Sequence, residues 1–327
     1  MDSKFERERR QRMPLVIIFA VCVLILILLS ILLFKNMSAS VGGSQYVEII
    51  DLEGLSLSEA KAALDAQGIA YTISPAKDSK IANRVITYEG GEKTDNGKIT
   101  LKSDTVVKLY ANEVGKDKVV YLTFDDGPTR DNTFDILNTL DKYGIKASFF
   151  VEGQDVALWP DRMVATFERG HIIACHSYSH VYDDLYSSTN AFLREIEQYE
   201  AALKSAIGEN NFENVKKIIR FPGGTNNSYL SRSESIAYIN AVRAKGYKVY
   251  DWTALTGDAE GKKTASEFIS HLTSGLDKAK SNGEPLILLM HDRLSTNEAL
   301  SQIIDHLVSK GYYFDTVDNC SEYTFVE

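Results

Sequence analysis

Short apolar runs alternate with helical stretches through residues 118–327, and this period limits the fold more tightly than composition does. The runs are VVYLTF, KASFFV, HIIACH, KKIIRF, YKVYDW, PLILLM and YYFDTV. Between most of them lie segments such as TFDILNTLDKYG, AFLREIEQYEAALKSAIG, ESIAYINAVRAKG and STNEALSQIIDHLVSKG, several closed by Gly, the usual helix stop. Seven strands alternating with helices call for parallel strands joined by helical crossovers. The expected fold is therefore α/β, an open or deformed (β/α) barrel, whose active site would sit at the C-terminal ends of the strands.

A second constraint lies at the other end of the chain. Leu15 to Phe34 reads LVIIFAVCVLILILLSILLF, uninterrupted by charge. Twenty apolar residues in a helix span about 30 Å, the thickness of a bilayer's hydrocarbon core. A signal peptide has a shorter apolar region, so residues 14–34 read as an uncleaved transmembrane helix. Lys4, Arg7, Arg9, Arg10 and Arg12 precede it and only Lys35 follows closely. The positive-inside rule then makes residues 1–13 a basic cytoplasmic tip and puts everything after residue 35 outside the cell. The expectation is a single-pass protein of the cell membrane with an extracellular catalytic domain.

The formal net charge is -9, from 36 basic and 45 acidic residues. Residues 1–35 hold six of the basic and three of the acidic ones, which leaves 30 against 42 outside, a charge of -12. An acidic surface argues against a nucleic-acid partner, and the sequence names no protein partner. A 44% hydrophobic and 25% charged composition excludes wholesale disorder. Cys175 and Cys320 are the two cysteines beyond the anchor; they either pair or stay as idle thiols.

Residues 35–45, rich in Ser and Gly, read as a linker. From Tyr46, the strand-like YVEII leads to a capping-box pattern at Ser56 and Glu59, then to a helix closed by Gly68. AYTIS, RVITYEG and TVVKLYA follow, giving a small α+β module of one helix and about four strands. Over residues 46–112, through GLSLSEAKAALDAQGIAYTI and the Val-rich last strand, this module resembles a PASTA repeat. The resemblance implies either contact with cell-wall peptidoglycan or a rigid spacer.

In the larger unit, unusual polar residues fall at strand ends. Asp125 and Asp126 follow VVYLTF, His176 follows HIIAC, Arg220 sits in KKIIRF and His291 follows PLILLM. His171, His271 and His306 fall at a strand start or in helices and read as structural or surface residues. His176 and His180 are four apart, a spacing that faces both imidazoles the same way on one helical turn. Two imidazoles and a carboxylate hold a divalent ion with one position left open.

TFDDGP (Thr123–Pro128), HSYSH (His176–His180), RFPGG (Arg220–Gly224) and ILLMH (Ile287–His291) together resemble the ordered motifs of the polysaccharide deacetylase family, carbohydrate esterase family four. The resemblance covers roughly residues 117–320, within a catalytic domain read as 117–327, and implies a deformed (β/α) barrel that removes acetyl groups from a cell-envelope glycan. N-acetylglucosamine of peptidoglycan is the foremost candidate; chitin-like chains, exopolysaccharides, O-acetyl glycans and a non-catalytic wall-binding role are the alternatives. Whether N-acetylglucosamine or N-acetylmuramic acid is deacetylated stays open. By position, the resemblance makes Asp125 the general base and Arg220 the group that orients it. Asp126, His176 and His180 become ligands of Zn²⁺, or of Co²⁺ or Ni²⁺, which the same donors accept. His291 becomes the general acid, Leu289 lines an acetyl pocket and the Gly223 N–H holds the oxyanion. The family's Asp-x-x-Asp-Trp motif is altered to WTALTGDA (Trp252–Ala259): Asp258 aligns with the second Asp, which tunes the histidine, while Leu255 and Ala259 replace the first Asp and the Trp. Trp252, Tyr178 or Tyr229 would supply the missing wall of the sugar groove; Trp252 reads equally well as a core aromatic.

Overall fold

The computed structural model describes residues 46–261 and 264–326. The expected cytoplasmic tip, membrane helix and linker lie outside the described residues. Among those described, no helix is long and apolar enough to cross a membrane.

The first unit runs β1 (Tyr46–Ile50), α1 (Leu57–Ala66), β2 (Tyr71–Ser74), β3 (Thr87–Glu89), β4 (Glu92–Lys93), β5 (Lys98–Lys102) and β6 (Val107–Tyr110). The capping box starts α1 as predicted: the Ser56 hydroxyl accepts from the Glu59 N–H, and the Glu59 carboxylate accepts from the Ser56 N–H. Two three-stranded sheets, β1-β5-β4 and β2-β6-β3, enclose a small core of Leu52, Leu57, Leu64, Ile99 and Leu109. The sequence reading expected about four strands and the structure has six. The two it missed, β4 and β5, are short and Lys-rich; β5 (KITLK) buries only Ile99 and Leu101 and turns its lysines to solvent.

The second unit runs β7 (Val119–Gly127), α2 (Thr133–Tyr143), β8 (Ser148–Val151), α3 (Gly153–Leu158), α4 (Pro160–Glu168), β9 (Ile172–Cys175), α5 (Tyr182–Leu185), α6 (Thr189–Ile207) and α7 (Glu209–Phe212). It continues with β10 (Ile218–Ile219), α8 (Arg232–Ala244), β11 (Lys248–Val249), β12 (Ala254–Leu255), α9 (Ala265–Asn282), β13 (Leu286–His291), α10 (Leu294–Ser309) and β14 (Tyr313–Asp315). All seven expected strands are present, and the two-residue β12 is added. The sheet order is β11-β10-β9-β8-β7-β13-β12, with β14 beside the first residues of β7 and every pairing parallel. Its two edge strands are only four residues apart in the chain. The Tyr250 N–H still bonds Ile219 of β10, while the Thr253 N–H bonds Ile287 of β13. The sheet must therefore curl until its edges approach, which makes an incomplete barrel.

Strand side chains alternate between faces with period two, and here the faces are two layers. Val120, Leu122, Phe124, Phe149, Val151, Cys175, Ile219, Leu288 and Met290 point outward into the main core beneath the helices. Tyr121, Phe150, Ala174, Ile218, Tyr250 and Ile287 point into the barrel. Further along the inward faces come Glu152, His176, Arg220 and Trp252, one step beyond these residues, and Asp125 and His291, two steps beyond, past Thr123 and Leu289. Cys175 and Cys320 are both buried and free, and they sit in the two different layers.

The small unit docks at the other end of the barrel. Lys80 to Ala82 runs beside β14, with the Ala82 N–H donating to Phe314 O at 2.8 Å and the Phe314 N–H to Lys80 O at 2.9 Å. Ala82 is fully buried among Val119, Tyr121 and Val317. The Arg84 guanidinium clamps Asp315 at 2.9 Å and the Thr316 hydroxyl at 2.8 Å. These contacts gather at the N-terminal end of β7, so the C-terminal rim is left free of the small unit.

His171 precedes β9 on that same lower end, as expected for a structural residue. Its Nδ1 accepts the Ala147 N–H at 3.2 Å, and burial pushes its pKa down to about 3 from 6.5. The unfolded chain takes up this proton near 6.5 and the folded chain does not. Its stabilising effect is therefore complete above 6.5 and declines by about 1.4 kcal/mol per pH unit as pH falls toward 3. Denaturant unfolding of His171→Gln should give lower stability at pH 8, with the gap to wild type narrowing between pH 6.5 and 4. A pH-independent gap would remove His171 as the source.

Candidate metal-binding and catalytic site

Adjacent residues of a regular strand point to opposite faces, yet Asp125 and Asp126 both reach the rim. The register explains it: Asp125 pairs with Phe150 and Gly127 with Val151, so Asp126 is an extra residue in a bulge. It takes a left-handed backbone (φ 63), which Asp tolerates better than most residues. Bulges commonly re-aim a side chain beside a site.

The two histidines converge by a different route from the helical turn expected. Residues 176–181 form no helix; Ser177 (φ 72) and His180 (φ 57) are left-handed and fold the loop back on itself. The Glu195 carboxylate fixes the bend by accepting the N–H groups of Tyr178 (3.0 Å) and Ser179 (2.8 Å). His176 Nδ1 lies 2.9 Å from the Arg220 carbonyl. A proton held there leaves Nε2 as a bare donor atom, the usual arrangement of a ligating imidazole.

Asp126 Oδ1 is 3.6 Å from Nε2 of both His176 and His180. That separation is long for a hydrogen bond. It suits donors that share one ion, since ligand distances of about 2.1 Å at a tetrahedral angle place ligand atoms roughly 3.4 Å apart. One donor atom from each residue falls within 4.8 Å of the others. Burial and the neighbouring His176 push the His180 pKa down, which keeps it neutral and able to ligate. Burial alone would raise the Asp126 carboxyl, but His176, His291, His180 and Arg293 together hold it below its ordinary value. The two-nitrogen, one-oxygen set therefore fits a divalent metal ion.

Beside it is a buried ion pair. Arg220 is fully buried and donates to Asp125 Oδ1 at 2.7 Å, to the Thr123 hydroxyl at 2.9 Å, and to the carbonyls of Tyr250 (2.9 Å) and Asp251 (3.2 Å). Its guanidinium lies 4.1 Å from the Phe150 ring centre. Across the rim, His291 Nδ1 is 2.9 Å from Asp258 Oδ1, and Asp258 Oδ2 accepts both the His291 N–H (2.7 Å) and the Thr296 hydroxyl (2.5 Å). Desolvation opposes the shifts of both partners, but their hydrogen bond prevails, lowering Asp258 and raising His291. His291 Nε2 remains directed at the site, 4.0 Å from Asp126 Oδ2.

Leu289 shares the inward face of β13 with His291 and is buried below it. Gly223 is exposed with φ 73 on the loop after β10. Trp252 packs beneath Gly224, edge-on to Phe325 with ring centres 5.0 Å apart, against the inner core. Tyr178 is not brought to the site. Its ring wedges against Gly153, where even a Cβ would lie 2.5 Å from it, in a cleft lined by Val156, Pro160, Gln198 and Ala202. The left-handed Ser177 and the Glu195 anchor turn it away.

Four neighbours were not singled out from the sequence. Glu152 ends SFFVE one inward step beyond Phe150, the partner of Asp125; burial, then the Asp126 and Asp155 charges, push it up to about 7. The same strand-end pattern that marks the other residues marks it too. The Arg293 Nη2 donates to Asp126 Oδ2 at 3.0 Å. Asp292 accepts from the hydroxyls of Thr129 (2.9 Å) and Thr133 (2.5 Å), locking the loop after Asp126. Tyr182 lies edge-on to His180, ring centres 5.3 Å apart.

Arg220→Met should cost about 3–5 kcal/mol in a urea or guanidinium titration, because it strands Asp125 as a buried charge. Adding Asp125→Asn should restore part of that loss; a strictly additive double mutant would contradict the coupling.

Comparison with known proteins gives a consistent result. Residues 112–248 match the family model described as "Polysaccharide deacetylase". A peptidoglycan-N-acetylglucosamine deacetylase of Bacillus cereus is 29% identical over 242 residues, 68% of this chain and 82% of that one. The catalytic domain of a peptidoglycan N-acetylglucosamine deacetylase from Eubacterium rectale superposes with TM-score 0.52 at 32% identity, covering 64% of this chain and 90% of that one. A polysaccharide deacetylase from Bacillus cereus superposes with TM-score 0.54 at 28% identity, covering 64% and 97%.

Proposed function

Because the chain belongs to the polysaccharide deacetylase family, we propose that it hydrolyses N-acetyl groups of a cell-envelope glycan, foremost the N-acetylglucosamine of peptidoglycan. The observation that carries this reading is the rim on which an Asp126–His176–His180 donor set, a buried Asp125–Arg220 pair and a His291–Asp258 pair meet. A divalent ion held by Asp126, His176 and His180, by default Zn²⁺ and alternatively Co²⁺ or Ni²⁺, would supply Lewis-acid polarisation of the acetamide carbonyl and of a water.

The chain's own residues do the rest. Asp125, oriented by the Arg220 hydrogen bond, takes a proton from the attacking water as general base. The water's oxygen adds to the acetamide carbon, and the Gly223 N–H would donate to the oxyanion that forms, a contact worth about 3 kcal/mol. His291, held by Asp258, passes a proton from Nε2 to the amine as the C–N bond breaks. The products are acetate and a sugar with a free amine. Leu289, below His291, suits the acetyl methyl.

A substrate in the wall agrees with the names of the relatives and with a membrane-anchored extracellular enzyme, the reading of residues 14–34. The small unit, docked at the lower end of the barrel, would act as a pedestal that keeps the site facing away from residue 46. It would also bring a PASTA-like surface close to peptidoglycan.

The test is acetate release from N-acetylated glycan strands, with and without a chelator. Asp126→Ala and His180→Ala should abolish both metal uptake and acetate release; robust release from either would sink the metal assignment. Asp125→Asn should lower kcat by about 10²–10⁴ while metal binding persists. The sign for His291 is also fixed. Asp258 helps to raise its pKa, so the protonated acid survives to higher pH. In Asp258→Asn the alkaline limb of the kcat profile should therefore move to lower pH; an unmoved limb would contradict the pairing.

A further inference from the structure

An aromatic ladder climbs from the candidate metal site to the surface. Its lowest rung is Tyr182, half-buried and edge-on to His180. Tyr229 lies against it, ring centres 5.0 Å apart and planes 36° from parallel, and is 50% exposed. Tyr186 backs both rings from within, 5.9 Å from Tyr182 and 6.0 Å from Tyr229. Tyr182 and Tyr186 come from α5 and its C-terminal cap and Tyr229 from the loop after β10, so their meeting is not an accident of sequence neighbourhood.

Each rung is tied to the loop that carries Arg220. The Tyr186 hydroxyl donates to Pro222 O at 2.7 Å. Asn227 donates to Gly224 O at 2.8 Å and accepts the Tyr229 N–H at 2.9 Å. Tyr182 fills the space a side chain at 223 would need: a Cβ there would lie 3.0 Å from its hydroxyl. The ladder is thus held in register with Asp125 and the histidines, and its outermost rung, Tyr229, is half exposed.

We infer that Tyr182 and Tyr229 are specificity-determining residues that form a stacking platform for consecutive sugars of an N-acetylated glycan chain. This rests on the deacetylase reading above. Tyr182 borders the sugar whose acetamide enters the site, and Tyr229 receives the apolar C–H face of the next sugar. An aromatic ring offers such a face a rigid apolar surface at little entropic cost, and stacking contacts of this size change affinity by about fivefold to tenfold. The enzyme should therefore prefer chains to single sugars.

The test is isothermal titration of the full-length, chelator-treated chain with N-acetylglucosamine oligomers of increasing length, run beside acetate release by the metal-loaded chain. Wild-type affinity should rise from the monomer to longer oligomers. Tyr229→Ala should remove about fivefold to tenfold of that rise, and Tyr229→Phe, which keeps the ring, should retain it. A wild type indifferent to length, an alanine variant that binds like wild type, or a phenylalanine variant as weak as alanine would each overturn the platform. Acetate release by wild type in any of those cases would leave the deacetylase reading standing. The expected binding pattern without acetate release would instead uphold the platform and overturn the catalytic reading alone.

Discussion

The buried guanidinium of Arg220 is the constraint around which this molecule is arranged. A charge without solvent access must be paired and hydrogen-bonded or it unfolds its surroundings. Arg220 meets that demand with Asp125 and Thr123 on β7 and with two carbonyls on the link between the sheet's edges. It therefore ties the centre of the sheet to the gap where the barrel fails to close. Its own carbonyl faces His176 Nδ1, so the same residue positions Asp125, an imidazole whose Nε2 can ligate, and the curl of the sheet.

The division of the barrel into layers follows from strand alternation. Outward faces are apolar and bind the helices, and inward faces are apolar below and polar at the rim. The candidate site occupies the last inward position of several strands, and the Asp126 bulge adds one residue that alternation would have turned outward. The small unit occupies the lower mouth, where Ala82 and Arg84 seal the base without touching the chemistry.

Much of this was legible in the sequence because it depends on pattern. The strand–helix period specified the parallel sheet, and the polar residues ending the strands at Asp125, His176, Arg220 and His291 marked the rim. The altered motif still aligns Asp258 with the residue that tunes the histidine, and in the structure Asp258 Oδ1 lies 2.9 Å from His291 Nδ1. What escaped depends on backbone conformation and on contacts between distant loops. The left-handed Ser177 and His180 have no pattern signature, so the histidine pair read as a helical turn and Tyr178 read as a groove residue. Arg293 and Tyr182 reach the site only because α10 and the histidine loop begin at the same rim. Glu152 alone carried a visible signal, the strand-end position after SFFV.

The central claim is that this rim deacetylates an envelope glycan in the cell, and mass spectrometry of muropeptides tests it most directly. Cells with the intact gene should yield muropeptides lacking acetyl groups on N-acetylglucosamine. Those species should vanish on deletion of the gene and stay absent when Asp125→Asn is supplied. An identical muropeptide profile with and without the gene would contradict the account.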